Sequence, residues 1–200
     1  MALFGLTRTV NPEPLLRGDG LYLRPATPAD YPSWSQLRTA SRAFLEPWEP
    51  TWPDDDLTQA AFRRRLRRQE EDIARDEAYP FLIFDQTSEQ LLGGVTLGGL
   101  RRGVSQTGTL GYWMGAAHAG KGRMTRAVAA TVEFAFVRLR LHRVEAACIP
   151  DNAPSIALLR RNGFEREGYA RGYLRIDGAW RDHVLFGLLD GDARTLTTAP

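Results

Sequence analysis

The stretch from Gly111 to Phe136 holds the residues best suited to chemistry. Gly120 and Gly122 bracket Lys121, the only lysine among the 200 residues, and apolar residues follow at helical spacing. Glycine lets a backbone approach an anion without a Cβ in the way, and a helix N-terminus presents free N–H groups where the macrodipole favours negative charge. The stretch therefore predicts a strand, a glycine-rich turn and a helix that together bind a phosphorylated ligand.

Two nucleotide-binding motifs approach this turn without matching it. The P-loop pattern G-x-x-x-x-G-K-[ST] requires a hydroxyl after the lysine to hold magnesium, and here Gly122 and then Arg123 follow the lysine. The dinucleotide pattern G-x-G-x-x-G requires a third glycine where Thr125 stands. A nucleotide kinase and a dehydrogenase are therefore both disfavoured.

A second motif, DNAPSIALLRRNGF over 151–164, narrows the choice. The two motifs together resemble the GCN5-related N-acetyltransferase (GNAT) superfamily. In that superfamily a loop of the form Q/R-x-x-G-x-G/A binds pyrophosphate, and a later strand leads to N-x-x-S/A and a helix that ends in G-F. The strings LYLRPATPAD, WEP and EGYARGYLRIDGAWRDHVLF are similar to the branch of ribosomal-protein alanine N-acetyltransferases, the RimJ/RimL type. Ala119 and Met124 depart from the strict loop pattern. A loop that donates backbone N–H groups tolerates Ala119, and Met124 is common in this branch and begins the buried stripe of the helix.

The resemblance implies acetyl-CoA as the co-substrate and assigns the parts of its site. The backbone from Ala119 to Thr125 would cradle the pyrophosphate, with the side chains of Lys121 and Arg123 near the phosphates. A splayed strand would carry the pantetheine arm and polarise the thioester, and Asn152 would hydrogen-bond the arm. The implied acetyl-CoA-binding residues are Trp113, Met114, Gly115, Ala119, Gly120, Lys121, Gly122, Arg123, Met124, Thr125, Asn152 and Ser155.

Three residues are candidates for the catalytic roles. Ser155 is expected to stabilise or protonate the leaving thiolate, because Leu159 stands where some family members carry a tyrosine. Some relatives carry a glutamate where Ala147 stands here. Glu145, two residues earlier on the same strand face, is therefore the first candidate for the base, and Glu49 is the second. Water is an alternative base, with catalysis mainly by positioning. A purely structural role, in a salt bridge for Glu145 or in helix capping for the motif asparagine, also stays open.

By resemblance, the acceptor is expected to be a protein N-terminal amine, with alanine of a ribosomal protein as the first choice. A small amine such as an aminoglycoside or a polyamine is the alternative, and a non-catalytic acyl-CoA-binding sensor is a further one. The acidic, tryptophan-rich loop FLEPWEPTWPDDD suits either kind of amine, although acids at a helix start are also explained by capping and the helix dipole. The arginines of the helix that follows are expected to be solvated, with contact to the ribosome as the alternative.

The composition fits a globular protein in a reducing compartment. Hydrophobic residues make up 43% of the chain and the net charge is +2, so bulk charge gives no reason to expect direct nucleic-acid specificity. Cys148 is the single cysteine and the apolar run at the N-terminus is short for a signal peptide, so the expected location is cytoplasmic. The histidines and Cys148 lack metal-ligand spacing, and no run is long enough for a membrane helix. We therefore expect no metal, no membrane partner, and a monomer or homodimer.

The elements that position these motifs predict an α+β protein. Strands are expected over 21–27, 79–84, 91–100, 107–114 and 143–149, with a closing hairpin turned by Asp177-Gly178. Helices are expected over 30–40 and 54–76, after Gly122, and from PDNAP to Asn162-Gly163. The GNAT resemblance implies a mixed, mainly antiparallel sheet of six to seven strands, flanked by about four helices and splayed at the acetyl-CoA site. We expect a single domain over 1–200, with an irregular lead-in over 1–19 and a loose tail over 189–200.

Overall fold

A single mixed sheet of eight strands organises the computed structural model, which describes residues 16–192. The strands are β1 (Leu16–Gly18), β2 (Leu21–Arg24), β3 (Tyr79–Asp85), β4 (Leu91–Arg101), β5 (Thr107–Met114), β6 (Arg143–Cys148), β7 (Glu165–Ile176) and β8 (Ala179–Leu189). The helices are α1 (Tyr31–Ala40), α2 (Arg42–Leu45), α3 (Gln59–Ala74), α4 (Arg123–Glu133, continued by a π turn over Phe134–Arg138) and α5 (Ala153–Arg161). The strand order is β1-β2-β3-β4-β5-β6-β8-β7, and every neighbouring pair is antiparallel except β5 and β6.

The sheet has one strand more than the six to seven expected. β1 pairs with β2, with Leu16 opposite Leu23, where the sequence predicted an irregular lead-in. A three-residue strand is too short to show an alternating pattern, and Gly20, with φ of +69°, makes the turn into β2. Residues 1–15 of the expected lead-in and 193–200 of the expected tail lie outside the described residues.

Helix α3 begins later than the sequence predicted. Thr58 caps it, because its side-chain oxygen accepts a hydrogen bond from the N–H three residues on, at 3.2 Å. Asp55 and Asp56 lie in the turn before this cap and form ion pairs with Arg64 and Arg65. These carboxylates therefore anchor the loop to the helix instead of forming its first turn.

Helices pack on both faces of the sheet. On one face α4 buries Ala127 and Val128 against the core that includes Leu97. On the other face α1 and α3 meet, where the rings of Trp34 and Phe62 lie 4.9 Å apart at their centroids. β3 is buried on both sides, which explains its continuous apolar run. Within residues 16–192, no helix has the length and apolar character needed to cross a membrane.

Candidate active site

A gap opens between the two parallel strands in the middle of the sheet. β5 pairs with β6 only where Thr107–Leu110 face Arg143–Ala146. Beyond that point β5 stays paired with β4 as far as Met114, and β6 stays paired with β8 as far as Cys148. Because each strand follows its outer neighbour, the two diverge, which confirms the predicted splay.

The backbone of Met114 faces this gap. Gly115 N–H donates to Leu92 O at 2.9 Å, so Met114, opposite Gly93, occupies a non-hydrogen-bonded position of the β4–β5 ladder. Its own N–H and C=O therefore point away from β4 and into the gap. An extended pantetheine arm can hydrogen-bond to such an edge, and an N–H there can polarise a thioester oxygen.

The glycine-rich turn that follows β5 has the geometry of an anion cradle, and its residues 119–125 are called the cradle below. Gly120 and Gly122 have φ of +73° and +70°, and a Cβ built on either would meet no atom within 4 Å. Among the described residues, the first N–H of α4 with a backbone acceptor is that of Arg126, which donates to Gly122 O at 3.3 Å. The preceding N–H groups are free at a helix N-terminus with open space above them, so this turn fits a pyrophosphate.

The cationic side chains of the turn make contacts of their own. Lys121 Nζ donates to Ala117 O at 2.9 Å, and Arg123 lies 3.2 Å from His118 Nδ1 and 3.4 Å from Asp85. Burial and the charges of Arg123 and Lys121 hold the pKa of His118 below its usual value, so the ring is neutral and its Nδ1 accepts from the guanidinium. The backbone is therefore the fixed part of the cradle, and Lys121, which is exposed, is free to reorient.

Helix α5 begins beside the other wall of the gap. Asn152 caps it, because its Oδ1 accepts the Ser155 N–H at 3.1 Å, so a capping role for the motif asparagine is present in the structure. The hydroxyl of Ser155 lies 2.7 Å from the hydroxyl of Tyr112 on β5, across the gap. Burial raises the pKa of Cys148, which lies next to Ser155, so its thiol is protonated and a weak nucleophile.

A second opening lies on the opposite face of the sheet. It is a cavity of about 420 Å³ walled by α1, the loop after α2, α3 and β3–β5, and it includes Gly111, Tyr112 and Trp113. The indole of Trp113 lies against Gly94, where a Cβ would come within 2.5 Å of its Nε1. The cavity therefore meets the same segment of β5 whose backbone borders the gap.

The predicted base Glu49 lies in this cavity but is fully engaged. Arg38 donates to both of its carboxylate oxygens at 2.7 Å, and Trp52 Nε1 donates to one of them at 2.7 Å. The Arg38 guanidinium is sandwiched between the rings of Trp52 and Trp113, at 4.0 and 5.0 Å. The backbone oxygen of Glu49 also accepts the N–H of Asp177, which ties the tip of the β7–β8 hairpin to this loop at 2.9 Å.

The other predicted base, Glu145, lies outside the cavity. Its carboxylate pairs with Arg101 at 2.8 Å and with Arg143 at 3.1 Å, and Arg143 in turn pairs with Glu167. It stands opposite Thr109, in the part of β6 that is still paired with β5. These contacts favour the salt-bridge interpretation of Glu145.

Sequence reasoning missed two residues at the centre of the site. Tyr112 lies in the strand predicted over 107–114. Its hydrogen-bond partner, Ser155, is 43 residues further along the chain, and no sequence spacing connects the two. Arg38 follows the buried Trp34 at i+4 on α1, which was a signal that it faces inward. Trp34 and Trp52 are both buried and both line the cavity, and Trp34 also belongs to the core between α1 and α3. Among residues 16–192 there is no group of three or more side chains suited to hold a metal ion.

Comparison with known proteins adds independent findings to this geometry. Residues 20–165 match a family model described as "Acetyltransferase (GNAT) domain". The "Probable N-acetyltransferase YjcK" of Bacillus subtilis is 38% identical over 178 residues, which is 89% of this chain and 98% of the relative. The "[Ribosomal protein uS5]-alanine N-acetyltransferase" of Escherichia coli is 34% identical over 190 residues, 95% of this chain and 97% of the relative.

A solved structure is similar in fold as well as in sequence. "Mycobacterium smegmatis RimJ in complex with CoA-disulfide" superposes with a TM-score of 0.83 at 31% identity and covers 93% of this chain and 89% of that one. That protein binds a coenzyme A derivative, the chemical class for which the glycine-rich turn and the gap are suited.

Proposed function

This chain belongs to the GNAT family of acetyltransferases, in the branch of ribosomal-protein alanine acetyltransferases, and we propose that it acetylates the α-amine of a protein N-terminus. It is an N-acetyltransferase that uses acetyl-CoA. The preferred acceptor in this proposal is the N-terminal alanine of a ribosomal protein, and the place of action is the cytoplasm. The name of the Escherichia coli relative, which modifies alanine of ribosomal protein uS5, supports this choice.

The observation that carries the proposal is that two openings meet at one segment of β5. The anion cradle and the gap approach this segment from the α4 side, and the cavity approaches it from the side of α1 and α3. An amine that enters through the cavity would therefore reach a thioester held along Met114 without crossing the core. Holding two reactants in this way accounts for a large part of the barrier reduction in bimolecular reactions.

In this proposal three parts of the site act on acetyl-CoA. When bound, acetyl-CoA supplies an activated thioester. The N–H of Met114 would polarise its carbonyl oxygen, and the backbone from Ala119 to Thr125 would hold its pyrophosphate. The hydroxyl of Ser155, one helical turn into α5, would stabilise the sulfur as the carbon–sulfur bond breaks.

We propose that water removes the proton from the attacking amine. Glu49 and Glu145 each lie in ion pairs with arginine, so their carboxylate oxygens are already engaged. The cavity is open to solvent, so water can reach the amine. Catalysis in this proposal is mainly positioning, which was one of the alternatives that the sequence left open.

The charges of the cavity favour a peptide over a polycationic small amine. Its carboxylates Glu49 and Asp56 are matched by Arg38 and Arg65, at 2.7 and 2.6 Å. A polyamine or an aminoglycoside carries several positive charges, and the carboxylates of this cavity are already paired with arginine. A peptide N-terminus has a single amine, which needs only one hydrogen-bonded position beside the apolar indoles.

The test is acetyl transfer to a matched set of acceptors, measured as thiol release and as product mass. The set contains an Ala-starting peptide with the N-terminal sequence of ribosomal protein uS5, the same peptide starting with Ser, and a version with a blocked α-amine and a free lysine. Spermidine and an aminoglycoside complete it. We expect the Ala peptide to give the highest kcat/KM and the blocked peptide to give no product.

Two outcomes would contradict the proposal. Faster turnover of spermidine or the aminoglycoside would assign the enzyme to small amines. Tight binding of CoA with no turnover of any acceptor would indicate an acyl-CoA sensor.

A further inference from the structure

The hydroxyl of Tyr112 has no part in the chemistry described so far, although it lies at the reacting end of the gap. Its oxygen is 2.7 Å from Ser155 Oγ, and the two side chains come from opposite walls, β5 and α5. Burial raises the pKa of Tyr112 to about 12, so the phenol keeps its proton at any pH at which the enzyme works. A buried donor in contact with the group that faces the leaving sulfur affects what that group can do.

We propose that Tyr112 is a positioning residue that donates its hydroxyl hydrogen to Ser155 Oγ and so leaves the Ser155 hydrogen free for the thiolate leaving group. The inference rests on the proposed function, because it assumes that a thiolate is released beside Ser155. It goes beyond it by adding a residue that does not itself contact the reacting atoms.

The direction of this hydrogen bond follows from the two hydroxyls. Either oxygen can donate, but a phenol is the more acidic donor and an aliphatic hydroxyl has two lone pairs to accept with. With Tyr112 as donor, the single hydrogen of Ser155 has two other acceptors within reach: Cys148 Sγ, a weak one, and the developing thiolate, a strong one. In the opposite direction Ser155 would donate its only hydroxyl hydrogen to Tyr112, and it would have no hydrogen to donate to the sulfur.

Relative acidity decides between hydrogen bonding and proton transfer. Thiols ionise with a pKa of about 8.5, well below the value of about 12 to which burial raises the Tyr112 phenol, so moving the phenol proton to a thiolate is unfavourable. The carbon–nitrogen bond therefore forms and the carbon–sulfur bond breaks with its electron pair left on sulfur. The amine proton passes to water, and the two hydroxyls contribute hydrogen bonds only.

The Tyr112–Ser155 pair also provides a phenol near the gap although position 159 carries no tyrosine. Leu159 is fully buried in the core and its position offers no hydroxyl. The phenol comes instead from β5, on the other side of the gap, and its contact with α5 fixes where the Ser155 oxygen lies. One hydrogen bond thus aligns the two walls that must hold the thioester between them.

The kinetic test is a double-mutant cycle of Tyr112→Phe and Ser155→Ala with the best acceptor. We expect Tyr112→Phe to lower kcat about 3- to 10-fold with the KM for acetyl-CoA unchanged, and Ser155→Ala to lower it about 10-fold or more. The double variant should match Ser155→Ala alone, because the two hydroxyls act as one unit. Tyr79→Phe is the matched control: Tyr79 donates to Asp76 at 2.8 Å, away from the gap, and its pKa is also raised to about 12.

A second measurement does not depend on turnover. The ionisation of bound CoA is followed by the ultraviolet absorbance of its thiolate, with desulfo-CoA as the blank. The Ser155 hydrogen bond should lower the pKa of the bound thiol, and Tyr112→Phe should move it back toward that of Ser155→Ala, whereas Tyr79→Phe should not.

Three results would overturn the inference. The first is an unchanged kcat for Tyr112→Phe. The second is a double variant whose loss of kcat equals the product of the two single losses. The third is a pH–rate profile of Tyr112→Phe that lacks a titrating limb present in the wild type, which would mean that the phenol transfers a proton. Failure of the proposed function looks different, because the wild-type chain would then turn over none of the N-terminal peptides while the bound thiol still responds to Tyr112→Phe.

Discussion

At the scale of single residues, arginine side chains decide which carboxylates near the gap are available for proton transfer. Glu49 is held by a two-pronged contact with the buried Arg38, and Glu145 lies between Arg101 and Arg143. Removing Arg38 would leave the carboxylate of Glu49 partly buried and unpaired, which is destabilising, whereas the Arg101–Glu145 pair is more exposed. We infer that both carboxylates hold structure, which leaves the amine proton to water.

The cradle can be tested at one residue, Gly122, with Gly103 as its control. Both glycines have positive φ, +70° and +65°, and a Cβ on either would meet no atom within 4 Å, so Asp at either position brings a similar backbone strain of roughly 1–2 kcal/mol. Gly122→Asp also places a carboxylate where phosphate is expected, and like charges about 4 Å apart repel by roughly 1–4 kcal/mol in such surroundings. Calorimetric titration with CoA should show affinity at least about tenfold weaker for Gly122→Asp. It should stay near wild type for Gly103→Asp, and equal affinity in both variants would refute the cradle.

The sequence predicted residues that lie within one local motif and missed those that meet across the sheet. Asn152 and Ser155 are three positions apart, and their hydrogen bond is a property of any helix start. Tyr112 and Ser155 meet only because β5 and α5 border the same gap. The same holds for Glu49, because no pattern around it indicated that Arg38 and Trp52 would both donate to its carboxylate.

At the scale of the elements, the predicted strands were placed well but the divergence of two of them depends on their neighbours. β5 runs from Thr107 to Met114 as its alternation predicted, and β6 ends one residue before its predicted end. The GNAT resemblance implied a splay, and its start after Leu110 is set by the continued pairing of β5 with β4 and of β6 with β8. No residue type within β5 or β6 indicates where the two strands begin to diverge.

Gly94 on β4 shapes the acceptor cavity, and its replacement should separate acceptor binding from CoA binding. A Cβ at Gly94 would lie 2.5 Å from Trp113 Nε1, so Gly94→Ala displaces the indole that stacks on Arg38. Because this indole lines the acceptor cavity, we expect a KM for the peptide roughly tenfold higher, about 1.4 kcal/mol of lost binding, with CoA affinity unchanged. Gly98→Ala, on the same strand and with its nearest atom at 3.5 Å, is the control. An unaltered KM for the peptide in Gly94→Ala would show that the Trp113 indole does not contribute to acceptor binding.

The junction between β2 and α1 has a pH dependence that follows from Asp30. Its carboxylate accepts two hydrogen bonds from Arg24 at 2.7 Å and one from Thr27 N–H at 2.7 Å. Burial alone would raise the pKa of Asp30, but these hydrogen bonds outweigh burial and hold the pKa below its ordinary value. The stabilisation is therefore complete above about pH 4, the ordinary aspartate value, and is lost as the pH falls through the lower, folded-state pKa.

Denaturant unfolding of Asp30→Asn against wild type measures this contribution. We expect the variant to be less stable by about 2 kcal/mol at pH 7. The difference should shrink below about pH 4, where Asp30 of the unfolded chain becomes protonated before Asp30 of the folded protein. Asp19→Asn is the control, because Asp19 is 88% exposed and its pair with Arg126 is 3.4 Å long, so a change within about 0.5 kcal/mol is expected. A stability difference for Asp30→Asn that stays constant down to pH 2 would contradict the argument.

At the scale of the whole molecule, the proposed function places the two substrates on opposite faces of the sheet. The cradle belongs to the α4 side and the cavity to the side of α1 and α3, and β5 contributes to both sides. The β7–β8 hairpin reaches back to the loop after α2 through the bond from Asp177 N–H to Glu49 O. This bond joins segments more than 120 residues apart in the chain at Glu49, a residue that lines the cavity, and no local pattern in the sequence could indicate it.

This arrangement predicts direct transfer with both substrates bound at once. A covalent acetyl-enzyme would need an activated nucleophile at the gap, but burial raises the pKa of Cys148, and the neighbour of the Ser155 hydroxyl is a protonated phenol, which is no base. Initial rates measured at several fixed acceptor concentrations should therefore give intersecting double-reciprocal lines. Intact-mass analysis after incubation with acetyl-CoA alone should show unmodified enzyme, and Cys148→Ala should retain turnover. Parallel lines, together with an acetyl group on the chain that is absent from Cys148→Ala, would instead assign the thiol a covalent role and would mean that the two openings act in succession.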